Sequence, residues 1–348
     1  VPLRLLHLVG SAETEQLAEL SVLYAADCLA ALDATAYEHH VGYVSPDGSW
    51  RFPAALDPAG IAAADPLSPA EAMARIAGLE VDVAVPQMFC RPGMTLYRAM
   101  LELLGLPYVG NTPQTMAAGA DKAWARALVA AAGVRVPAGE LLTPGRPPTL
   151  TPPVVVKPVD ADNSDGVMLV RRREELDAAL AGAAEHSDQV LVERYIELGR
   201  EVRCGVLERD GELLCLPLEE YAVDPATKPV RDRADKLARR DGRLTLVAKD
   251  AEHAWIVPPD PSDAVTAAVW RAARTAHRAL GCRDYSLFDF RIDPEGRPWF
   301  LEAGLYCSFA RTSVVAVMAA AAGIGLDDLF AGCVEQALRR DSRRSRRS

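Results

Sequence analysis

The chain has 348 residues, half of them hydrophobic and a quarter charged, so it is too long for one small core and suits two or three packed domains rather than a disordered chain. A formal net charge of −10 and a pI near 5.2 argue against general binding to nucleic acid or to an anionic membrane. Seven cysteines, odd in number and without CxxC spacing, give neither a zinc signature nor a disulfide framework, and a reducing cytoplasm is the expected setting. No apolar run approaches the roughly 20 residues that span a bilayer, and the opening VPLRLLHLVG is too short an apolar run for a signal peptide.

Residues 3–9 read as a buried strand, 10–13 (GSAE) as the turn after it, and 14–31 as a helix on which Leu17, Leu20, Tyr24, Cys28 and Ala31 recur at helical spacing. Strands at 40–44 and 81–85, a helix at 94–104 and a short strand at 107–110 follow. Strand and helix alternate, which makes a parallel α/β sheet the default for residues 1–115. Ligands collect at the carboxyl ends of such strands, here 11–13 and 86–93. A helix over 121–133 starts at Asp121 and stops at Gly133. The Pro-rich connector 142–153 leads into VVVKP at 154–158, an apolar strand ending in Lys157. The polar loop 159–166 (VDADNSDG), strand 167–170, helix 173–181 and strand 190–196 complete what reads as an α+β module. Residues 201–216 suit a hairpin turning at 209–211; 217–250, charged and weakly periodic, suits a long functional loop or a partly helical surface segment. Ser262 is expected to cap a helix that Gly281 ends. Two helices close the chain, the last over 326–338, and RRDSRRSRRS at 339–348 reads as a mobile low-complexity tail.

The stretch with the clearest chemistry is YSLFDFRIDPEGRPWFLE, 285–302. Two β-type runs flank a Pro- and Gly-containing turn, and each carries one acid among apolar neighbours, Asp289 and Glu302. With residue 292 opposite 297, position 289 pairs with 300 and Glu302 falls on the same face, one diagonal step away. Two close acids in apolar strands repel unless a positive group sits between them, and a hard divalent cation such as Mg²⁺ answers that need; a solvent-facing strand with scattered charges is the bland alternative.

Taken in order, Lys122, Lys157, Ser164, Gly166, Glu193, Glu201, Asp289 and Glu302 resemble the site residues of the ATP-grasp carboxylate-amine ligases, specifically the D-alanine–D-alanine ligase family. The likeness spans nearly the whole chain, with landmarks LVGSAE (8–13), LELLGLPYVG (101–110), VVVKP (154–158), VLVERY (190–195), Gly281-Cys282 and LEA (301–303). The resemblance implies an ATP-grasp fold behind a Rossmann-like N-terminal domain: residues 1–115 on the substrate side, 116–200 with a phosphate lid, 201–338 with the metal site. It implies ATP and Mg²⁺ as cofactors, amino acids or peptides as small-molecule partners, and a homodimer as the assembly to test. Lys122 and Lys157 would meet the nucleotide phosphates as compact point charges, although in isolation a solvated helix lysine is the better reading of Lys122. Loop 160–166 would close over those phosphates with backbone N–H groups near Ser164 and Gly166. Glu193, Arg194, Tyr195 and Ile196 would form the adenine side, read by main-chain groups, and Glu201 would accept from the ribose hydroxyls. Asp289 and Glu302 would hold Mg²⁺.

On the substrate side, Glu13 matches the acid that holds the first substrate's ammonium, Ser313 the serine on the second substrate's carboxylate, and Asn163 the catalytic-loop serine. Several positions depart from the family pattern. Gln87 stands where a histidine is expected, Gly304 where an asparagine would supply a third metal ligand, and Leu287 where an arginine two residues before the metal aspartate would steady an oxyanion. Arg291, Arg203 and Arg311 are the candidate substitutes for that arginine, and Arg291 on the strand of Asp289 is taken as the catalytic one. Cys90 and Cys307 in the altered segments raise a thiol nucleophile, against the usual role of free cysteine as a small buried hydrophobe. The expected activity is amide or peptide bond formation through an acyl phosphate, by a specialised amino-acid or peptide ligase rather than the cell-wall enzyme. A dipeptide ligase of the ordinary kind, a phosphotransferase and a non-catalytic ATP-binding partner are the alternatives.

Overall fold

The computed structural model describes residues 2–33, 35–143, 145–161, 165–224, 227, 229–230, 237–240, 243–246, 253–260 and 262–345. The run of buried residues after Arg4 forms β1 (Leu3–Gly10), the centre of a sheet ordered β3-β2-β1-β4 with β2 (Tyr37–Val44), β3 (Trp50–Arg51) and β4 (Val83–Pro86). Both neighbours of β1 run parallel to it, and only the edge strand β3 is antiparallel. Helix α1 (Glu15–Ala31) makes the first crossover, its free N–H groups met by Thr14, whose hydroxyl accepts from Leu17 N. Helices α2 (Pro58–Ala63), α3 (Pro69–Gly78), α4 (Arg91–Met94) and α5 (Leu96–Leu103) fill out this region. The expected strand at 107–110 reduces to a single bridge between Tyr108 and Ala84.

The carboxyl ends of β1 and β4 are stitched together by one hydroxyl. Gly10 N donates to Ser21 Oγ at 2.8 Å, and Ser21 Oγ donates to Gln87 O at 2.7 Å. Gly10 has φ +100, and a β-carbon there would strike the Val44 carbonyl oxygen, so only glycine lets the strand end turn so close to β2.

Helices α6 (Pro113–Ala120) and α7 (Lys122–Ala131), the latter capped by Asp121 through Trp124 N, lead to a second, antiparallel sheet. It is ordered β5-β8-β6-β7, from β5 (Gly139–Leu142), β6 (Val154–Pro158), β7 (Met168–Val170) and β8 (Val190–Arg194), and is backed by α8 (Leu176–Ala184). A third sheet takes β9 (Arg200–Arg209), β10 (Glu212–Cys215) and β11 (Glu219–Tyr221). After the small hairpin β12 (Leu237–Arg240) and β13 (Arg243–Leu246), it adds β14 (Ala254–Ile256), β15 (Tyr285–Ile292) and β16 (Pro298–Gly304). The order is β14-β11-β9-β15-β16, with β10 also on β9. Asp210 and Gly211, both at positive φ, make the two-residue turn expected after Arg209. Of the segment 217–250, the described parts form β11, β12 and β13, and its other residues lie outside the description apart from short connecting pieces.

Helix α9 (Ala264–Ala279) is capped by Asp263, which accepts from Val265 N and Thr266 N, and not by Ser262, whose hydroxyl goes to Asp260. Aspartate wins because its carboxylate can serve two of the helix's unpaired donors at once. Helices α10 (Val314–Ala321) and α11 (Leu326–Ser345) end the fold. The basic end is therefore helical through Ser345 rather than a loose tail from 339, and Arg340 anchors it by a two-point bond to the fully buried Asp284, 2.8 Å from Oδ2. One core joins the first sheet to α10, α11 and the third sheet through Leu5, Val83, Tyr285, Phe309 and Phe330; another packs α7 and α9 on the opposite face of β9 and β15.

Candidate active site

A cleft open to solvent, about 720 Å³ with its mouth included, lies between the second and third sheets. Its walls include Lys122 and Lys157, Glu193, Arg194 and Ile196 from the end of β8, and Glu201, Asp289, Arg291 and Glu302 from the third sheet. Valines 154–156 place Lys157 at the buried end of β6, where its ammonium meets Glu193 at 2.5 Å. Glu193 is shared: its other oxygen accepts from Arg126 Nε at 3.0 Å. The side chain of Glu193, expected to contribute only main-chain groups, is thus the hub of a buried three-residue ion network. Lys122 follows the α7 cap and donates through Nζ to the carbonyl of Ala161, while its own N–H donates to Val159 O at 2.9 Å. It is tied to the start of the polar loop 159–166.

Within that loop Asp160 pairs with Arg91 at 3.2 Å, which turns one of its acids toward the segment after β4. Gly166 adopts φ +69 against Pro158 and His186. Asn163 and Ser164 lie outside the described residues.

On the third sheet a row of charged side chains crosses four strands. The register places Glu219 on β11 opposite Arg203 on β9, Arg203 opposite Asp289 on β15, and Asp289 opposite Glu302 on β16. The expected diagonal offset of the two acids is corrected here: a bulge after Asp289 makes Phe290 face Phe300 and Asp289 face Glu302, with Leu301 the extra residue. Asp289 is 5% exposed and held in a two-point bond by Arg203, with Nε–Oδ1 at 2.5 Å and Nη2–Oδ2 at 2.7 Å. Burial opposes the Arg203 charge, but Asp289, with Tyr221 and Glu219, holds its pKa well above the usual arginine value. The Arg203 guanidinium also lies over the ring of Tyr221.

The next row is a separate lock. Arg291 donates to Glu201 at 2.7 Å, to Ile196 O at 3.2 Å and to Pro229 O at 2.7 Å, and packs over Tyr195. Arg291, the expected oxyanion residue, therefore spends its guanidinium on the strand and loop that frame the cleft. Arg194 N–H and Tyr195 N–H are likewise committed, to Ala138 O and Pro153 O.

Glu13 and Ser313 sit outside this cleft. Glu13 is exposed beyond β1, with its N–H on Ser11 Oγ. Ser313 stands at the N-terminus of α10 with its hydroxyl 5% exposed as a residue and no hydrogen-bond partner among the described residues. The rings of Tyr24, Phe89 and Tyr306 meet edge to face, at 5.3 and 5.6 Å between centroids, which joins α1 to the segments after β4 and β16. Gln87 is buried and donates to His7 Nδ1 at 2.8 Å. Cys90 and Cys307 are buried in separate hydrophobic clusters, which is the bland reading of both thiols. No cluster of three or more metal-ligating side chains occurs among the described residues, and Asp289 and Glu302 are cross-strand neighbours.

The sequence of residues 147–335, more than half of the chain, matches the family described as D-ala D-ala ligase C-terminus. The chain belongs to the D-alanine–D-alanine ligase family. The D-alanine–D-alanine ligase of Mycolicibacterium smegmatis is 31% identical, with 92% of each chain covered. The vancomycin B-type resistance protein VanB of Enterococcus faecalis is 30% identical over 75% of this chain and 74% of its own. Among solved structures, the VanG D-Ala:D-Ser ligase from Enterococcus faecalis superposes with a TM-score of 0.78 at 23% identity, covering 97% of this chain and all of that one. The D-alanine–D-alanine ligase from Bacillus anthracis complexed with ATP gives 0.73 at 21%, with 99% of both covered. The fold is the ATP-grasp fold of this family, and the protein is an ATP-dependent ligase of carbon–nitrogen bonds.

One feature of the site escaped the sequence, and a second, Arg203, is reached from it only as one of three alternatives. Arg126 has only helix periodicity around it, and nothing local announces its bond to Glu193. Arg203 does carry a signal: it lies two residues after Glu201 on β9, hence on the same face, and an inward arginine beside an inward acid is the strand pattern of a paired site.

Proposed function

We propose that this ligase joins the carboxylate of one amino acid or peptide to the amine of another through an acyl phosphate, on a substrate pair other than two D-alanines. What carries the reading is the contrast within one site. Lys122, Lys157, Glu201, Asp289 and Glu302 converge on the cleft, while Gln87, Leu287 and the stretch from Gly304 depart from the family pattern on the substrate side.

The donor set fits Mg²⁺, which takes one or two carboxylates and completes its shell with phosphate oxygens and water. Asp289 and Glu302 face each other across β15 and β16 and would hold it; Gly304 adds no ligand. When bound, the ion supplies positive charge to the phosphate oxygens. The ammoniums of Lys122 and Lys157 supply the rest, and Lys157 would exchange part of its bond to Glu193 for phosphate. The γ-phosphorus bonds to a substrate carboxylate oxygen as its bond to the bridging oxygen breaks, and ADP leaves with that electron pair. The amine nitrogen then bonds to the acyl carbon, phosphate leaves with the C–O pair, and the nitrogen gives up a proton. Glu13 would hold an ammonium, and the unpartnered Ser313 hydroxyl with the N-terminus of α10 would receive a carboxylate. An acyl phosphate hydrolyses if wet, so a closing lid is required, with 160–166 and 217–250 as the candidate segments, and Asp160 of the first already pairs with Arg91.

The test is ADP release with ATP, Mg²⁺ and a matrix of amino acids, peptides and amines, with products read by mass spectrometry. A mixed condensation product is expected. D-alanyl-D-alanine as the preferred product returns the protein to the ordinary dipeptide reaction, and tight ATP binding without any amine-dependent product leaves an ATP-binding partner.

A further inference from the structure

Beside the acid pair, the third sheet carries a second row of charge with other bonds. Arg291 follows Asp289 by two residues on β15, so its side chain leaves the same face about 7 Å farther along the strand, opposite Glu201 on β9. Both residues line the cleft and both are buried, Arg291 at 4% and Glu201 at 6% exposed. None of the bonds of Arg291 goes to the acid pair: Nη1 donates to Ile196 O, and Nη2 donates to Glu201 Oε2 and to Pro229 O.

Net charge separates this row from the groups that suit phosphate. Lys157, Glu193 and Arg126 together keep one positive charge in excess. Arg291 and Glu201 cancel, and breaking them apart would strand a buried charge, so the pair has little attraction to spare for a polyanion. What it offers is a fixed acceptor. Arg291 takes Oε2 of Glu201, and no bond among the described residues takes Oε1. An ionised carboxylate only accepts, so the complement of that oxygen is a donor such as a sugar hydroxyl. Arg291 is itself held by three separate segments and packs over the ring of Tyr195, yet its Nε is buried with no partner among the described residues. One donor in the cleft wall is left over.

Resting on the ligase reading, in which Glu201 meets the ribose, we infer that Arg291 is the positioning residue for nucleoside selection. By pinning one oxygen of Glu201 it aims the other at the ribose hydroxyls, and so makes the enzyme select ribonucleotides over their 2′-deoxy counterparts. The unspent Nε–H is left for an acceptor of the nucleoside, the sugar ring oxygen or a base nitrogen.

Calorimetric titration of ADP, 2′-deoxy-ADP and pyrophosphate, each with Mg²⁺, divides the ligand into its parts without knowledge of the amine or acid substrates. Wild-type protein is expected to bind ADP at least about tenfold more tightly than 2′-deoxy-ADP, the worth of one bond to a charged acceptor. Arg291→Gln should cut that preference below about threefold while pyrophosphate affinity stays within about threefold, and Arg291→Lys should keep part of the preference. Glu201→Gln should lose it too, and adding Arg291→Gln to that variant should remove nothing more, because the two act as one unit. A merely structural defect would weaken ADP and 2′-deoxy-ADP alike and leave their ratio unmoved. An unchanged ratio in Arg291→Gln, a pyrophosphate affinity that falls as far as that of ADP, or a wild-type protein indifferent to the 2′-hydroxyl would each overturn the assignment. Failure of wild-type protein to bind ADP with Mg²⁺ would instead strike at the ligase reading itself. Where Arg291→Gln does not fold, the ratios in Arg291→Lys and Glu201→Gln decide.

Discussion

At the end proposed to take the nucleotide, charges are paired before any ligand arrives; at the end proposed to take the substrates, two polar groups stand open. Lys157, Glu193 and Arg126 form one network, Glu201 and Arg291 a second, and Asp289 and Arg203 a third, all wholly or largely withdrawn from water. Such pairs return roughly what their desolvation costs, so their value lies in holding orientation rather than in stability. Glu13 by contrast is exposed, and the Ser313 hydroxyl is buried without a partner among the described residues. A buried unsatisfied hydroxyl costs about 1–3 kcal/mol, an expense that a ligand carboxylate would offset. On the proposed reading, the nucleotide end is built to stay as it is, and the substrate end to be completed.

Breaking the acid pair should have the largest effect. Asp289→Asn or Glu302→Gln is expected to lower Mg²⁺-dependent ADP release by about 10²–10³-fold, from the several kcal/mol a bound metal supplies. Wild-type turnover in either variant would remove both acids from the metal site. Lys157→Ala should weaken ATP binding by about 10–100-fold, the worth of one or two charge-assisted bonds, with little change in amine KM. Equal losses in both constants would show that the two ends are not separable.

Acid should act on both ends through buried histidines. Burial and then His39 push His7, beneath the substrate end, down to about 3; burial and then Arg278 push His277, behind β15 on Ser286 Oγ, down to about 4. Each lies below the ordinary 6.5, so between that pH and the lowered value the unfolded chain binds a proton that the folded chain refuses. Stability is full above about pH 6.5 and should fall below it, by about 1.4 kcal/mol per pH unit for each histidine. Denaturant melts of His7→Asn and His277→Asn from pH 7 to 4.5 would show shallower slopes; an unchanged slope in both would mean that neither histidine is the cause.

The smallest effect falls on the open hydroxyl. Ser313→Ala should raise the KM of the carboxylate-bearing amine substrate about 3–10-fold, leave ATP binding within error and raise the melting temperature, since the variant removes a buried hydroxyl that has no partner among the described residues. A drop in melting temperature would mean that Ser313 has a protein partner after all.

The sequence alone determined several local features, because burial periodicity and caps are local: the Lys157 strand, the α7 cap at Asp121, the 209–211 turn and the presence of one acid on each arm of the β15–β16 hairpin are all written within a few residues. It could not determine what depends on distant partners. The bulge that moves Glu302 from a diagonal to a facing position is set by how β15 packs between β9 and β16; the helical end past Arg339 is set by Asp284, more than fifty positions earlier. The engagement of Arg291 with Glu201, the bond between Arg126 and Glu193, and the grip of Arg203 on Asp289 all cross between elements far apart in the chain. Side-chain chemistry is local, but which charge a side chain meets is decided only when the sheets are brought together.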